Sequence, residues 1–163
     1  PMGKRVSKKE IKEICERERS KGKTIVFTNG CFDILHFGHV EYLKFARNQG
    51  EVLVVGLNTD RSVQENKGDG RPILPERDRA RLLAALEDVD YVVLFDEATP
   101  DNLIRQVKPD ILVKGEDWRE KGVVGSEFVE SCGGKVVLAP MIKGVSTTEI
   151  INRIVEQNQR VGH

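Results

Sequence analysis

Several features that would point to a class of function are missing from this sequence of 163 residues. Its 26 basic and 26 acidic side chains cancel, so no overall field attracts nucleic acid or an anionic membrane. No apolar run approaches the roughly 20 residues of a membrane span, and the N-terminal segment is charged rather than signal-like. The 3 cysteines form no CxxC pair, which favours reduced thiols. We therefore expect a cytoplasmic protein that binds neither nucleic acid nor membrane and holds any anion locally.

Two common nucleotide-binding signatures are also absent. The sequence has no G-x-x-x-x-G-K-[ST] loop, which excludes a phosphate site of the P-loop type. It has no G-x-G-x-x-G either, which disfavours a redox enzyme that uses a dinucleotide. A phosphate site in this chain must therefore be built differently.

Apolar runs alternate with helical patterns along the chain. The run 52–57 is apolar throughout, which is typical of a strand covered on both faces in a parallel sheet. Alternating strands and helices predict an α/β fold, a Rossmann-like doubly wound parallel five-stranded sheet in a single domain, 1–163, with 1–22 as a helical extension. We predict a polar loop at 58–76. The predicted strands are 24–27, 52–57, 91–95, 111–113 and 136–138, and the predicted helices are a short one after Ser7, then 39–48, 77–86, 100–107, 126–132 and 146–156.

The most informative stretch is Thr28–His39, directly after the first predicted strand. His36 and His39 are three residues apart, so both side chains can face the same way if a helix begins near Phe37. Gly38 between them lets a phosphate or sugar approach the backbone. A helix start offers free N–H groups and the positive end of the helix dipole, and paired imidazoles add donors. The stretch therefore predicts phosphate chemistry.

Three further segments should open on the same edge of the sheet, because parallel strands end there together. They are Asn58–Arg71, Lys114–Trp118 and Pro140–Thr148. Ser146 and Glu149 have the spacing of a capping box, in which Glu149 reaches back to the helix start. Two helix starts at one edge could divide the phosphates of a triphosphate between them.

Other polar residues in these segments are less specific candidates. Lys67 and Arg71 lie among glycines, which suits a lid that closes over an anion, although loop charges are commonly just solvated. Asp33 and Asp60 follow the first two strands and could cap a turn, hold a ribose hydroxyl or hold Mg²⁺; the residues do not rank these roles.

Three candidates rest on residue type alone. Trp118 could stack on a ring or could simply pack against the protein. Lys44 and Arg77 are basic residues in predicted helices, where such residues are common.

The motif His36-Phe37-Gly38-His39, followed later by Val145–Ile150, resembles the cytidylyltransferase-like nucleotidyltransferase superfamily. Its hallmarks are HxGH and a helix start of the form (I/V)S(S/T)T. More narrowly, four segments are similar to the adenylyltransferase unit of ADP-heptose synthases, and the similarity extends from about Lys23 to Ile154. These segments are Thr28–Asp33, Leu57–Asp60, Asn66–Gly68 and Lys114–Trp118.

The resemblance implies a nucleotidyltransferase-type fold and a homodimer. It implies transfer of AMP from ATP, with Mg²⁺, to D-glycero-β-D-manno-heptose 1-phosphate, giving ADP-heptose for the lipopolysaccharide core and pyrophosphate. It also implies that His36 and His39 stabilise the reacting phosphorus and that Lys67 holds phosphate. Metal ligands remain open. The predicted nucleotide- and phosphate-binding residues are Thr28, Asn29, Gly30, Phe32, Asp33, Gly38, Lys44, Asp60, Arg77, Lys114, Gly115, Asp117, Trp118, Val145, Ser146, Thr147 and Thr148.

Two alternatives stay open at the level of sequence. The same motifs serve cytidylyltransferases that use glycerol 3-phosphate or a related alcohol phosphate, because the base is chosen by backbone contacts after the fourth and fifth strands. A nucleotide-binding regulatory module without turnover is the other alternative, and the intact histidine pair argues against it.

Overall fold

A computed structural model describes residues 4–162 of the chain. Five parallel strands form one sheet in the order β3-β2-β1-β4-β5. The predicted α/β fold class is confirmed. The strands are β1 (Ile25–Gly30), β2 (Val52–Asn58), β3 (Tyr91–Phe95), β4 (Ile111–Gly115) and β5 (Lys135–Ala139), and the helices within the described residues are α1 (Lys8–Ser20), α2 (Phe37–Arg47), α3 (Asp60–Lys67), α4 (Glu76–Ala84), α5 (Asp101–Val107), α6 (Ser126–Ser131) and α7 (Thr147–Val161), with a 3-10 turn at Glu116–Trp118.

Alternate residues of the central strands pack into two separate layers. On one face, Val26 and Leu53 contact buried residues of α2 and α4. On the other face, Ile25 and Phe27 contact α1, α5 and α6. Because side chains of a strand point to opposite faces in turn, an apolar run in the sequence fills both layers.

The N-terminal segment is part of this packing. Ser7 and Glu10 form the predicted capping box, which starts α1. Ile11 and Cys15 on α1 are fully buried against the sheet. Arg5 forms a parallel bridge to Val92, so the chain before α1 also covers the edge of β3.

The predicted loop at 58–76 was wrong in its first half, where the structure has α3. Thr59 caps this helix by accepting a hydrogen bond from the Ser62 N–H. Val63 on its inner side is buried, and the polar residues that suggested a loop form its exposed surface. The helix is short and carries few apolar residues, so its periodicity is weak in the sequence.

The order of the sheet reverses between β1 and β4. The chain moves outward from β1 through β2 to β3, then crosses to β4 on the other side of β1. The loops after β1 and β4 therefore diverge and leave a crevice at the carboxyl ends of the strands. Within residues 4–162, no helix combines the length and the apolar character needed to cross a membrane.

Candidate active site

A cleft with two adjoining compartments lies at this reversal point. The histidine compartment, of about 390 Å³, is bordered by the start of α2 and the start of α7. The asparagine compartment, of about 660 Å³, is bordered by Asn29, Asn58 and Asn66. Both volumes suit small ligands. Residues common to the two compartments are Cys31, Phe32, His39, Tyr42, Lys67, Asp117 and Met141.

The two histidines form one stacked unit at the start of α2. His36 is the N-cap, and its Nδ1 accepts a hydrogen bond from the Gly38 N–H at 3.1 Å. Nδ1 of His39 accepts from the His36 N–H at 3.2 Å, which completes a capping box made of imidazoles. The ring centroids are 3.8 Å apart. The prediction that both side chains face the same way is confirmed.

These hydrogen bonds fix the protonation of both rings. An Nδ1 atom that accepts a hydrogen bond carries no proton, so each neutral ring has its proton on Nε2. Burial lowers the pKa of His39 to about 4, and the neighbouring His36 adds to this effect. Burial also lowers the pKa of His36. At neutral pH the pair therefore offers two N–H donors rather than two positive charges.

Gly38 packs closely against the His36 ring. A Cβ at Gly38 would lie 3.0 Å from Cε1 of His36 and 3.1 Å from its Nδ1. A side chain at this position would force the His36 ring to shift by a few tenths of an ångström. The glycine thus keeps the imidazole in place as well as leaving the backbone accessible.

The start of α7 faces the histidine pair across the same compartment. Ser146 accepts a hydrogen bond from the Glu149 N–H at 3.1 Å, as the sequence predicts. The reciprocal bond, in which the Ser146 N–H would donate to the Glu149 carboxylate, is absent from the described residues, so only half of the predicted capping box forms. The Thr147 hydroxyl donates to the Asp33 carbonyl at 2.7 Å, which attaches α7 to the turn after β1.

Asp33 organises the wall of the histidine compartment. Its two carboxylate oxygens accept the N–H groups of Ile73 and Leu74 at 2.6 and 2.9 Å. The side chain is almost fully buried. Each carboxylate oxygen accepts one backbone N–H group, so Asp33 holds the segment between α3 and α4 against the turn after β1. Of its alternative roles, turn closure is the one observed.

Lys67, at the end of α3, borders both compartments. It lies on a helix rather than in the predicted flexible lid. Arg71, farther along, borders the histidine compartment and donates to the Thr148 hydroxyl at 3.4 Å. The cleft thus has one cation where the compartments meet and another beside the start of α7.

Lys114 and Trp118 form the far wall of the asparagine compartment. The Lys114 ammonium lies 4.7 Å from the centroid of the Trp118 ring and donates to the Asn29 carbonyl at 3.3 Å. Burial lowers the pKa of Lys114 to about 8. Gly115 makes room for Asp117, because a Cβ there would lie 2.5 Å from the Asp117 carboxylate.

The comparisons with known proteins agree with this architecture. Residues 27–153 match the family model described as Cytidylyltransferase-like. The chain belongs to the cytidylyltransferase-like family. The sequence-based recognition is confirmed, because the match includes both the histidine motif and the start of α7.

Relatives of this cytidylyltransferase-like chain include two proteins named "Bifunctional protein HldE". The one from Syntrophotalea carbinolica is 53% identical over 92% of this chain and 31% of its own length. The one from Campylobacter fetus is 60% identical over 88% of this chain and 30% of its own length. The chain therefore spans about a third of the length of these relatives.

Solved structures show the same fold. A lipopolysaccharide core biosynthesis protein from Thermoplasma volcanium is 33% identical, with a TM-score of 0.61, over 76% of this chain and 100% of that one. Pantoate-beta-alanine ligase from Francisella tularensis is 19% identical, with a TM-score of 0.56, over 90% of this chain and 76% of that one, and shows the fold alone.

Most predicted site residues of this family member border the cleft. The structure brings the predicted residues of the turn after β1, the end of β4 and the start of α7 to one place. The predicted residues that border at least one compartment are Asn29, Gly30, Phe32, Asp33, His36, Gly38, His39, Lys67, Lys114, Gly115, Asp117, Trp118, Val145, Ser146, Thr147 and Thr148.

Four predicted binding residues lie outside both compartments. Thr28 is fully buried, and its hydroxyl bonds the Val113 carbonyl. The Asp60 carboxylate pairs with Arg79 at 2.7 Å, so it serves the fold. Lys44 is exposed on α2 and Arg77 is exposed on α4, away from the cleft wall. A residue near the end of a strand reaches the ligand side only if its side chain points that way.

The sequence analysis missed Arg79, a guanidinium that is completely buried. Its Nη1 donates to the carbonyls of Cys31 and Asn58 at 2.7 and 2.9 Å, and its Nε donates to the Leu74 carbonyl. It therefore ties together the segments that follow β1, β2 and α3. The only feature of the sequence that could have indicated this role is the position of a basic residue on the apolar side of a predicted helix.

Two other features of the wall were missed. Tyr42 on α2 borders both compartments, and its hydroxyl donates to the Val113 carbonyl at 3.0 Å. The loop after β3 contributes Ala98, Thr99 and Pro100 to the asparagine compartment. Its composition is ordinary, so the sequence gives no reason to select it.

Proposed function

We propose that this chain transfers AMP from ATP to D-glycero-β-D-manno-heptose 1-phosphate, giving ADP-heptose and pyrophosphate. One observation carries the proposal: the neutral imidazoles of His36 and His39, whose Nε2–H groups have no partner among residues 4–162, stand opposite a second helix start in one cleft. Relatives named "Bifunctional protein HldE", at 53% and 60% identity, support the heptose substrate. We propose that the chain performs the adenylyltransferase half of such a two-activity protein.

The reaction needs no proton-abstracting base. An oxygen of the sugar phosphate is already ionised and attacks the α-phosphorus of ATP. A bond forms between that oxygen and the phosphorus, and the bond to the β-phosphate oxygen breaks, which releases pyrophosphate. Rate then depends on alignment and on stabilising the charged five-coordinate phosphorus. Neutral donors such as His36 and His39 suit this task because they need no proton transfer during the step.

We assign the triphosphate to the histidine compartment, where N–H groups and hydroxyls converge. The start of α7 supplies Ser146, Thr147 and Thr148 beside the positive end of the helix dipole. Lys67 stands where the compartments meet, which suits the phosphate groups that react.

We assign the sugar phosphate to the asparagine compartment. Amide side chains donate and accept hydrogen bonds, so Asn29 and Asn66 suit the hydroxyl groups of a sugar. Asn58 also borders the compartment, but its amide is almost fully buried and donates to the Ser62 hydroxyl. Lys114 and Lys67 supply charge for the phosphate. The lining therefore supports a polyhydroxylated acceptor in this compartment.

Mg²⁺ is proposed to enter with ATP. Within residues 4–162, no group of three or more His, Cys, Asp or Glu side chains is arranged to hold a metal. The Asp117 carboxylate borders both compartments and is exposed. This donor set fits Mg²⁺, which usually takes one or two carboxylates together with substrate phosphates and water. The ion would supply charge neutralisation on the phosphates.

Two further points complete the proposal. We propose that the chain acts in the cytoplasm, since its cysteines are free thiols and its co-substrate is ATP. We also propose a homodimer, as its resemblance to the family implies.

A crossed substrate assay tests the reaction. ATP and CTP are each combined with heptose 1-phosphate and with glycerol 3-phosphate, and pyrophosphate release is followed with Mg²⁺ and with excess chelator. We expect turnover with ATP and heptose 1-phosphate, and loss of turnover with chelator. Turnover confined to CTP with glycerol 3-phosphate would replace this proposal with the alternative. Nucleotide binding without any product would indicate a regulatory module.

A further inference from the structure

Arg71 is a half-buried arginine at the border of the histidine compartment. Within residues 4–162 its side chain makes one hydrogen bond, from Nη2 to the Thr148 hydroxyl at 3.4 Å. This distance is long for an N–H donor, and the acceptor carries no charge. None of the ion pairs in those residues uses Arg71. Most donors of this guanidinium therefore have no protein acceptor in the described part of the chain.

The other arginines that are shielded from solvent differ from Arg71 in this respect. Arg19 donates to two backbone carbonyls at 2.6 and 2.9 Å, and Arg47 donates to one at 2.7 Å. Arg79 donates to three carbonyls and to a carboxylate. The arginines of residues 4–162 that lack such acceptors are otherwise exposed. Arg71 thus combines partial burial with unused donors, which suits a group that binds an anionic ligand.

The surroundings of Arg71 also favour an anion. The Thr148 contact places the guanidinium beside the start of α7, where free N–H groups and the positive end of the helix dipole border the same compartment. Two carboxylates, Asp33 and Asp117, border this compartment, but neither forms an ion pair with Arg71. Two positive groups so close together attract a ligand of high negative charge.

Asp33 fixes the two sides of this position. Its carboxylate oxygens accept the N–H groups of Ile73 and Leu74, which follow Arg71 closely in the chain. Its carbonyl accepts the Thr147 hydroxyl, which holds the start of α7. The segment of Arg71 and the start of α7 are thus tied to the same residue. Their separation is set before a ligand binds, which reduces the entropy lost on binding.

The position of Arg71 determines which phosphates of the triphosphate it can contact. His39 and Lys67 border both compartments, so they lie where the acceptor must reach the α-phosphorus. Arg71 and Thr148 border the histidine compartment and not the asparagine compartment. They therefore stand on the side of the β- and γ-phosphates, which leave together as pyrophosphate.

We propose that Arg71 binds the pyrophosphate leaving group, together with the start of α7. This inference rests on the proposed transfer from a nucleoside triphosphate, but not on the identity of the acceptor. When the bond from the α-phosphorus to the bridging oxygen breaks, that oxygen keeps the electron pair and the pyrophosphate gains negative charge. A guanidinium can donate two parallel N–H bonds to phosphate oxygens. Arg71 stabilises the departing charge, while the histidines stabilise the five-coordinate phosphorus.

Calorimetric titration with inorganic pyrophosphate and Mg²⁺ tests the binding directly. Arg71→Gln should weaken pyrophosphate binding roughly 10- to 100-fold, since it removes charged hydrogen bonds. Arg71→Lys keeps the charge but loses the paired geometry, so we expect an intermediate loss of about three- to tenfold. AMP lacks the two leaving phosphates and should bind the wild type and both variants equally. Arg81→Gln, an exposed change on α4, is the control for net charge and should leave both affinities unchanged.

Steady-state rates show whether the same contact acts during the reaction. In Arg71→Gln, kcat/KM for ATP should fall at least tenfold, and product inhibition by added pyrophosphate should weaken by a similar factor. A purely structural role of Arg71 would instead lower thermal stability and weaken AMP binding as well. Thermal unfolding is therefore followed by circular dichroism for each variant. We expect little change, because the side chain is half-buried and its one hydrogen bond is long.

The results separate this inference from the proposed function. A wild-type chain that does not bind pyrophosphate, or an Arg71→Gln variant that binds it as tightly as the wild type, would overturn the inference even if turnover is intact. Equal losses for AMP and pyrophosphate would also overturn it. Pyrophosphate binding that depends on Arg71 in a chain without turnover would support the inference and contradict the proposed reaction. Should Arg71→Gln fail to fold, Arg71→Lys decides by the same comparison.

Discussion

The two helix starts in the cleft are built in opposite ways. The start of α2 is capped by imidazoles, and the helix behind it anchors Leu43 and Ala46 in the core. The start of α7 is capped by Ser146, and no residue of that helix is buried. The same chemical device, a helix N-terminus, is therefore fixed in one case and loosely held in the other. A fixed donor suits a transition state, and an adjustable one suits binding and release of a substrate.

The largest effect should follow from changes at the fixed start. His39→Asn should lower kcat roughly 100- to 1,000-fold with little change in KM, because the lost donor acts mainly on the transition state. His36→Asn should behave similarly, and asparagine keeps a good N-cap there. Steady-state pyrophosphate release measures both. Lys44→Ala, on the exposed side of the same helix, is the matched control and should retain full turnover. Unchanged turnover in both histidine variants would show that the start of α2 does not stabilise the transition state.

The second effect is a pH dependence of the free energy of unfolding that arises from His39 on α2. Burial lowers the pKa of His39 to about 4, from 6.5 in the unfolded chain. Between these values the unfolded state binds more protons, so the free energy of unfolding rises with pH. The contribution of His39 is lost as the pH falls from about 6.5 towards 4. The contribution is at most about 3.4 kcal/mol. Urea unfolding of the wild type and of His39→Asn at several pH values should show a smaller slope in the variant. Equal slopes would mean that the ring is not buried as described.

The third effect concerns the loosely held start. Thr147→Val removes a hydroxyl that donates to Asp33 and, by proposal, binds the triphosphate. We expect KM for ATP to rise roughly five- to tenfold, in line with one neutral hydrogen bond, while kcat stays close to the wild-type value. Initial rates at varied ATP give both constants. A fall in kcat as large as that of His39→Asn would erase the distinction between the two helix starts.

Sequence patterns predicted the parts of the cleft that depend on local rules. Spacing alone placed His36 and His39 on one side of a helix start, and the capping pattern located Ser146. The continuous apolar runs gave the parallel sheet, since both of its faces are covered. These features depend on residues close in the chain, which a sequence shows directly.

The roles of the other cleft residues depend on long-range contacts. Asp33 and Asp60 occupy similar places after β1 and β2, but one closes a turn on Ile73 and the other pairs with Arg79. Neither partner can be chosen without knowing how α4 packs. The buried role of Arg79 itself depends on three carbonyls from distant segments. Side-chain direction and tertiary packing, which no local pattern encodes, therefore limit the prediction.

The smallest effect compares two serine caps of the same chemistry. Ser7 caps α1, whose Ile11 and Cys15 are buried, whereas Ser146 caps α7. Ser7→Ala should lower the free energy of unfolding by about 1 kcal/mol, because α1 unfolds together with the core. Ser146→Ala should change that free energy by less than about 0.5 kcal/mol, since α7 has no buried residue and we expect it to open locally before the core unfolds.

Hydrogen exchange detects the local effect of Ser146→Ala. In Ser146→Ala the Glu149 N–H loses its acceptor, so its exchange should become faster while amides of β1 keep their protection. Urea unfolding and exchange are measured on both variants. If Ser146→Ala were as destabilising as Ser7→Ala, α7 would be part of the cooperative core, and the contrast between a fixed and an adjustable helix start would fail.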